Sequence, residues 1–151
     1  MFYQSANMFS KTCEYGIRAT IYIAMNSLKG ERVSLRGIAD RISSPEAFTA
    51  KILQQLVHHQ IIRSVKGAAG GFEIDPTEMK TMTLGRIVNA LDGDTIYTGC
   101  ALGLPECSDV HPCPVHAHFT SIRSALKHML DTTTIYQLAQ GLETGLTFLK
   151  Q

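Results

Sequence analysis

The 151-residue chain has no apolar run long enough to cross a bilayer. Its longest candidate, Ala19 to Met25, falls far short of the roughly 20 residues a spanning helix needs. The stretch Met1 to Asn7 carries no basic residue and no long apolar segment follows, so no secretory leader is read. The expectation is a cytoplasmic chain without membrane contact, in which thiols stay reduced and disulfides are rare. Net charge is scarce as well: 14 Lys and Arg against 13 Asp and Glu leave +1, so bulk charge alone indicates no polyanionic partner. Arg and Lys are missing altogether between Arg86 and Arg123, where Asp92, Asp94, Glu106 and Asp109 occur. There is no Gly-rich phosphate loop, and a Cys113/His116 nucleophile–base pair has no evident orienting group or oxyanion site, which argues against an enzyme.

What is there begins with thiols. GCALGLPECSDVHPCPVH, Gly99 to His116, holds three of the four cysteines (Cys100, Cys107 and Cys113) and ends on a histidine. An odd number of clustered cysteines speaks against disulfides. A low-pKa reactive thiol needs a cationic neighbour or a helix N-terminus. With no Lys or Arg nearby in sequence, a bound metal is the natural counter-charge for three thiolates. Thiolates are the usual ligands of iron–sulfur clusters, and a Cys₃His set also suits zinc. The gaps of six and five residues are longer than the usual zinc chelate, which tilts the reading mildly toward a cluster.

Charge distribution and periodicity describe the rest. From Arg32 to Phe72 there are six basic and two acidic residues, so this segment carries +4 and the remainder −3. Such asymmetry is an electrostatic footprint for nucleic acid. Ile17, Ile21, Ala24 and Leu28 space a first helix that Lys29-Gly30 ends. Ser34 caps a second helix with Leu35, Ile38, Ala39 and Ile42 on one face. Ser43-Ser44-Pro45 breaks the chain, with Pro45 suited to a first turn. A third helix then runs to about Gln60 and buries Phe48, Ile52 and Leu56. This pair reads as a helix-turn-helix. IIRSVKGAAGGFEI follows as a hairpin with a Gly-rich tip, placed as a wing that can reach phosphate or the minor groove. The third helix turns Ala47, Ala50, Lys51 and Gln54 outward. Lys51 suits phosphate or guanine and Gln54 suits adenine, while the two alanines offer apolar contact, for example to a thymine methyl. Arg36, Lys66 and Gly67 complete the candidate DNA contacts. A short helix from Thr83-Leu84-Gly85 to Leu91 precedes the thiol loop. After it, Val115, Phe119, Ile122, Leu126 and Met129 form a stripe on a helix from Pro114 to Leu130, and Thr134 with Gln137 opens a last helix as a capping box. Little chain remains to cover the stripe, so Phe119, Ile122, Leu126 and Met129 are read as a homodimer interface.

SKTCEYGIRA in the first helix, KGAAGGF at the wing, MTLGRIVNALDGD after it and the three-cysteine loop together resemble the Rrf-two family of winged-helix regulators, of the IscR, NsrR and CymR type. The similarity runs from Met8 to about Gly141. It implies a mainly α fold with a small β-hairpin wing: a winged helix-turn-helix domain over 8–92, a cluster-binding loop over 93–114, and a dimerisation helix with a C-terminal helix over 115–151. It implies a homodimeric regulator that binds a double-stranded DNA operator and senses redox state, nitric oxide or iron–sulfur status through a [2Fe-2S] cluster on Cys100, Cys107 and Cys113. His116 matches the fourth ligand of one branch, and Glu14 falls where another branch takes an acid from the partner's first helix. The alternative is a regulator of the same fold whose loop holds zinc or no metal and answers to a small molecule or protein. The first cysteine gap is one residue longer than in IscR-type members, and Ala47 and Ala50 stand where these carry polar base-reading side chains.

Overall fold

The computed structural model describes residues 8–149. Eight helices and one two-stranded antiparallel sheet make up this part. Helix α1 (Lys11–Leu28) is the spine, packing against α8, α5, α2, α3 and the sheet. Its start is fixed twice. The Ser10 side chain accepts from the Cys13 amide, and Ser10 in turn donates its amide and hydroxyl to the Asp92 carboxylate. The face α1 buries is broader than the sequence pattern suggested: Cys13, Gly16, Ala19, Thr20 and Ile23 join Ile21 and Ala24, while Ile17 and Leu28 are half-buried.

Helices α2 (Leu35–Ile42) and α3 (Glu46–His58) form the helix-turn-helix. Ser34 accepts from the Gly37 amide as N-cap, and Ser43 leaves α2 in the left-handed conformation. Pro45 is the N-cap of α3 rather than part of its first turn. The helix ends at His58, short of Gln60, where Gln60 takes a positive φ and Arg86 donates to the carbonyls of His59 and Gln60. Ile52 and Leu56 are buried as the pattern predicts, with Leu53 and Thr49 beside them. Phe48 is only half-buried and meets Tyr15 edge to face.

The wing is β1 (Arg63–Val65) paired with β2 (Gly71–Glu73), Ser64 opposite Phe72. Val33 bridges to Phe72 and ties the approach to α2 onto the wing. The paired glycines before β2 answer to space: a Cβ at Gly70 would lie 2.2 Å from the Val65 carbonyl oxygen, and one at Gly71, where φ is +137°, 2.8 Å from that of Val33. Ile61, Ile62 and Ile74 flank the strands and enter the main core with Ile23, Ile38, Leu53 and Leu56.

The short α4 (Pro76–Met79), opened by Asp75 with proline in its first turn, leads to α5 (Leu84–Asp92). After Gly93 comes another short helix, α6 (Thr95–Thr98), then the thiol loop and α7 (His116–Thr132). Helix α7 starts two residues later than the sequence suggested, because Pro114 and Val115 belong to the turn before it. It rests on α5 and α6. Thr134 and Gln137 form the expected capping box at the start of α8 (Ile135–Glu143). Among the described residues no helix is long and apolar enough to cross a membrane.

Candidate nucleic-acid face and thiol site

The six basic residues of the Arg32–Phe72 segment divide by their partners. Arg32 pairs with Glu73 at 2.9 Å, and Arg63 sits between Asp75 and Glu78. Arg41 lies over the ring of Tyr22. Arg36, Lys51 and Lys66 make no ion pair among the described residues, and all three are exposed. The positive charge left free for a partner is thus spread over α2, which carries Arg36 and the exposed Arg41, over α3 and over the hairpin tip. Ala47 and Gln54 are exposed on α3 and Ala50 is half-buried. Gly67 occupies the hairpin turn with φ +107°, beside Lys66. Between α3 and the wing runs a groove of about 360 Å³ lined by Leu35, Ala50, Gln54, Val57, Ser64 and Phe72.

At the thiol loop the structure overturns one inference from sequence. A fixed cation is present: Arg123 donates from Nη1 to Cys107 Sγ at 3.1 Å. It comes from α7, seven residues after His116, so that two helical turns return it to the loop. His116, Thr120, Arg123 and Lys127 share one side of α7 and line a cleft of about 330 Å³ with Cys107, Asp109 and Tyr97. Their i, i+4, i+7 spacing was visible in the sequence, beside the apolar stripe that drew the eye. The partner of His116 also differs. Its Nδ1 lies 3.5 Å from Cys107 Sγ, and its Nε2 lies 2.8 Å from Asp109 Oδ1, so Asp109 orients the ring. The orienting group judged absent for a Cys113/His116 pair therefore exists, but it serves Cys107. Asp109 is almost fully exposed.

The other two loop thiols, Cys100 and Cys113, are half-buried. The Cys100 thiol is held below its ordinary range, chiefly by the backbone amides of Leu104 and Leu102, with smaller contributions from Cys113 and the Arg123 charge. Cys107 thus stands with His116 and Arg123, and the Arg123 charge also reaches Cys100. Among the described residues no three His, Cys, Asp or Glu side chains are gathered at one point to hold a single metal ion. Tyr97 Oη, at the edge of this cleft, is buried with no hydrogen-bond partner among the described residues. His111 and His118 are exposed. Cys13 is fully buried among Val88, Leu130 and their neighbours. Burial, then the nearby Asp92 carboxylate, pushes its thiol up to about 12. Glu14, on the same helix, pairs with Lys11 at 3.1 Å.

On α7, Phe119, Ile122 and Met129 are exposed to 39%, 59% and 42%. Leu126 departs from this row: it is half-buried against the Cys13, Val88 and Leu130 cluster of its own chain.

Comparison with known proteins agrees with this architecture. The chain is 30% identical over 133 residues to an Aquifex aeolicus (strain VF5) protein bearing the name of an HTH-type transcriptional regulator, covering 87% of this chain and 90% of that one. The solved structure of CymR, the global cysteine regulator of B. subtilis, superposes with a TM-score of 0.70 at 24% identity, over 87% of this chain and 95% of that one. That of T. potens IscR gives 0.71 at 20% identity, over 95% and 93%. The Rrf2 family, described as an iron-dependent transcriptional regulator, matches residues 9–141. The protein folded around this winged helix and thiol loop belongs to the Rrf2 family of transcriptional regulators.

Proposed function

We propose that the chain is a homodimeric DNA-binding regulator that senses redox state, nitric oxide or iron–sulfur status through a [2Fe-2S] cluster held by Cys100, Cys107, Cys113 and His116. The observation that carries the cluster is the donor set: three cysteines on one loop, with His116 turned onto Cys107. A [2Fe-2S] cluster takes two protein ligands on each of two irons, and a histidine can replace a cysteine in such sets. Structural zinc instead needs four donors converging on one point. Three thiols and a histidine supply the four ligands that two irons need, and Cys107 and His116 already lie 3.5 Å apart with Arg123 beside them. When bound, the cluster would supply a redox centre open to attack by oxygen or nitric oxide. Arg123 would remain as a cation beside the ligating sulfur of Cys107, and Asp109 would hold the His116 ring by its second nitrogen. Glu14 from a partner's first helix stays the alternative fourth ligand.

Arg36, Lys51, Lys66 and Gly67 would position the duplex by its phosphates, while Ala47, Ala50 and Gln54 face base edges. The exposed row Phe119, Ile122 and Met129 suits a two-fold contact, and dimers match palindromic operators. The link between loop and reading head is short. Helix α7 rests through Leu130 and Leu126 on Cys13 and Val88, and α1, which carries Cys13, holds α2 and α3 on its other side.

Protein purified without oxygen tests the cluster directly. The expected product absorbs visible light and contains about two irons and two sulfides per chain. A colourless product with one tightly held zinc would establish the structural-metal alternative instead.

A further inference from the structure

We propose that the groove between α3 and the wing reads the 5-methyl groups of pyrimidines in the operator, with Ala50 as the contacting side chain in the groove, Ala47 exposed about one turn before it on α3, and Gln54 as the polar reader beside them. This rests on the reading of that face as the DNA-binding face, and it assigns the face a chemical preference.

The walls of the groove are unusual for a surface meant to meet a polyanion. Leu35, Ala50, Val57 and Phe72 are apolar, Gln54 and Ser64 are neutral, and no charged side chain lines it. Leu35, Val57 and Phe72 are partly buried and rest on the main core, so this floor is fixed before any duplex arrives. The exposed cations Arg36 and Lys51 are the next residues along α2 and α3 from the lining residues Leu35 and Ala50, and Lys66 is two residues on from Ser64. Such charge draws in the phosphate backbone, and the apolar groove is left for what lies between the two backbones.

The major groove offers few apolar features, and the foremost is the C5-methyl of thymine. The outer face of α3 is short where base-reading side chains are usually long. Ala47 is exposed and Ala50 half-buried, and neither can donate or accept through its side chain. With no long polar side chain at these two positions, the helix can approach the bases until its methyls meet theirs. A groove of about 360 Å³ has room for the methyl-bearing edges of a base step. Gln54, one turn after Ala50 and lining the same groove, can pair with the adenine of the same or the next A·T pair.

The test begins by selecting duplexes from a random pool with the full chain. Each thymine in the enriched half-site is then replaced by uracil, which removes the methyl and leaves Watson–Crick pairing unchanged. At one or two positions per half-site, affinity should fall about fourfold, the effect of re-exposing roughly one methylene equivalent. With guanine opposite, 5-methylcytosine at such a position should bind more tightly than cytosine at the same position. In Ala50→Ser protein, with helicity checked by circular dichroism, the thymine-to-uracil difference should shrink at one of these positions and persist elsewhere. Selective, salt-sensitive binding that no uracil substitution alters would overturn the proposal while leaving the DNA-binding reading intact, and would leave the groove to a small apolar ligand. A pool that yields no enriched sequence, with binding indifferent to salt, would instead overturn the DNA-binding reading and this proposal with it.

Discussion

The reading head and the segment that follows it are built on different terms. Most of the main core lies between Cys13 and Val88, where Ile23, Ile38, Ile52, Leu53, Leu56, Ile61, Ile74, Met79, Met82 and Ile87 are all buried to within 2%, and Ile135 and Ala139 of α8 complete it. Between Gly93 and Thr132 the only buried residue is Leu130. There Leu102, Leu104, Val110, Phe119, Ile122 and Met129 face outward, and the loop's polar contacts are mostly local. A segment of 40 residues with one buried side chain has little apolar burial to offset its conformational entropy. The difference teaches where outside partners belong. The head is covered by its own chain once α8 is in place. The loop and α7 leave their thiols and the apolar row for partners, which in the proposed function are a bound cluster and a second chain.

Core truncation should show the largest contrast. Leu56→Ala, in the head, is expected to lose roughly 3–5 kcal/mol by denaturant unfolding, because it leaves a cavity among Ile52, Ile61 and their neighbours. Val110→Ala, 81% exposed in the loop, should stay within about 0.5 kcal/mol of the parent. Equal losses at the two sites would erase the distinction drawn above. Next in size is the α7 row. Ile122→Glu would bury an unpaired charge in the proposed dimer contact, at a cost of about 3 kcal/mol to association. Sedimentation should show monomers where the parent is dimeric, and operator binding should fall with them. A variant that remains dimeric would return this row to the free surface. Smallest is the wing. Lys66→Ala should weaken binding to all sequences alike, by about 1 kcal/mol, and lower the slope of log affinity against log salt by about one. An unchanged slope would take Lys66 off the phosphate backbone.

The head was legible because its signals are local. Ser34 caps the helix its sequence position suggests, and the 3.6-residue pattern finds Ile38, Ile42, Ile52 and Leu56. Its errors are also local: Pro45 moves by one position, and α3 stops short where Gln60 turns left-handed. The helices α4 and α6, each of one turn, carry too few residues to show a period. The thiol site was legible only as composition. Its three cysteines and His116 are evident, but which thiol meets which donor depends on how the loop folds back on α7. Counting charges along the chain found no cation, whereas Arg123 reaches Cys107 from 16 residues away. The same long-range closure set Asp109 beside His116 and turned Leu126 inward while its neighbours in the stripe stayed exposed.

Whether the thiol segment governs the reading head is settled most directly by operator affinity in three anaerobic preparations: the cluster-bearing protein, the metal-free protein and Cys107→Ala. The account predicts that the metal-free and variant proteins agree with each other and differ from the cluster-bearing protein by about 5- to 150-fold at one or more operators, the 1–3 kcal/mol of a useful switch. Equal affinity of all three at every operator examined would contradict it, and would reduce the loop to an appendage of a reading head that works alone.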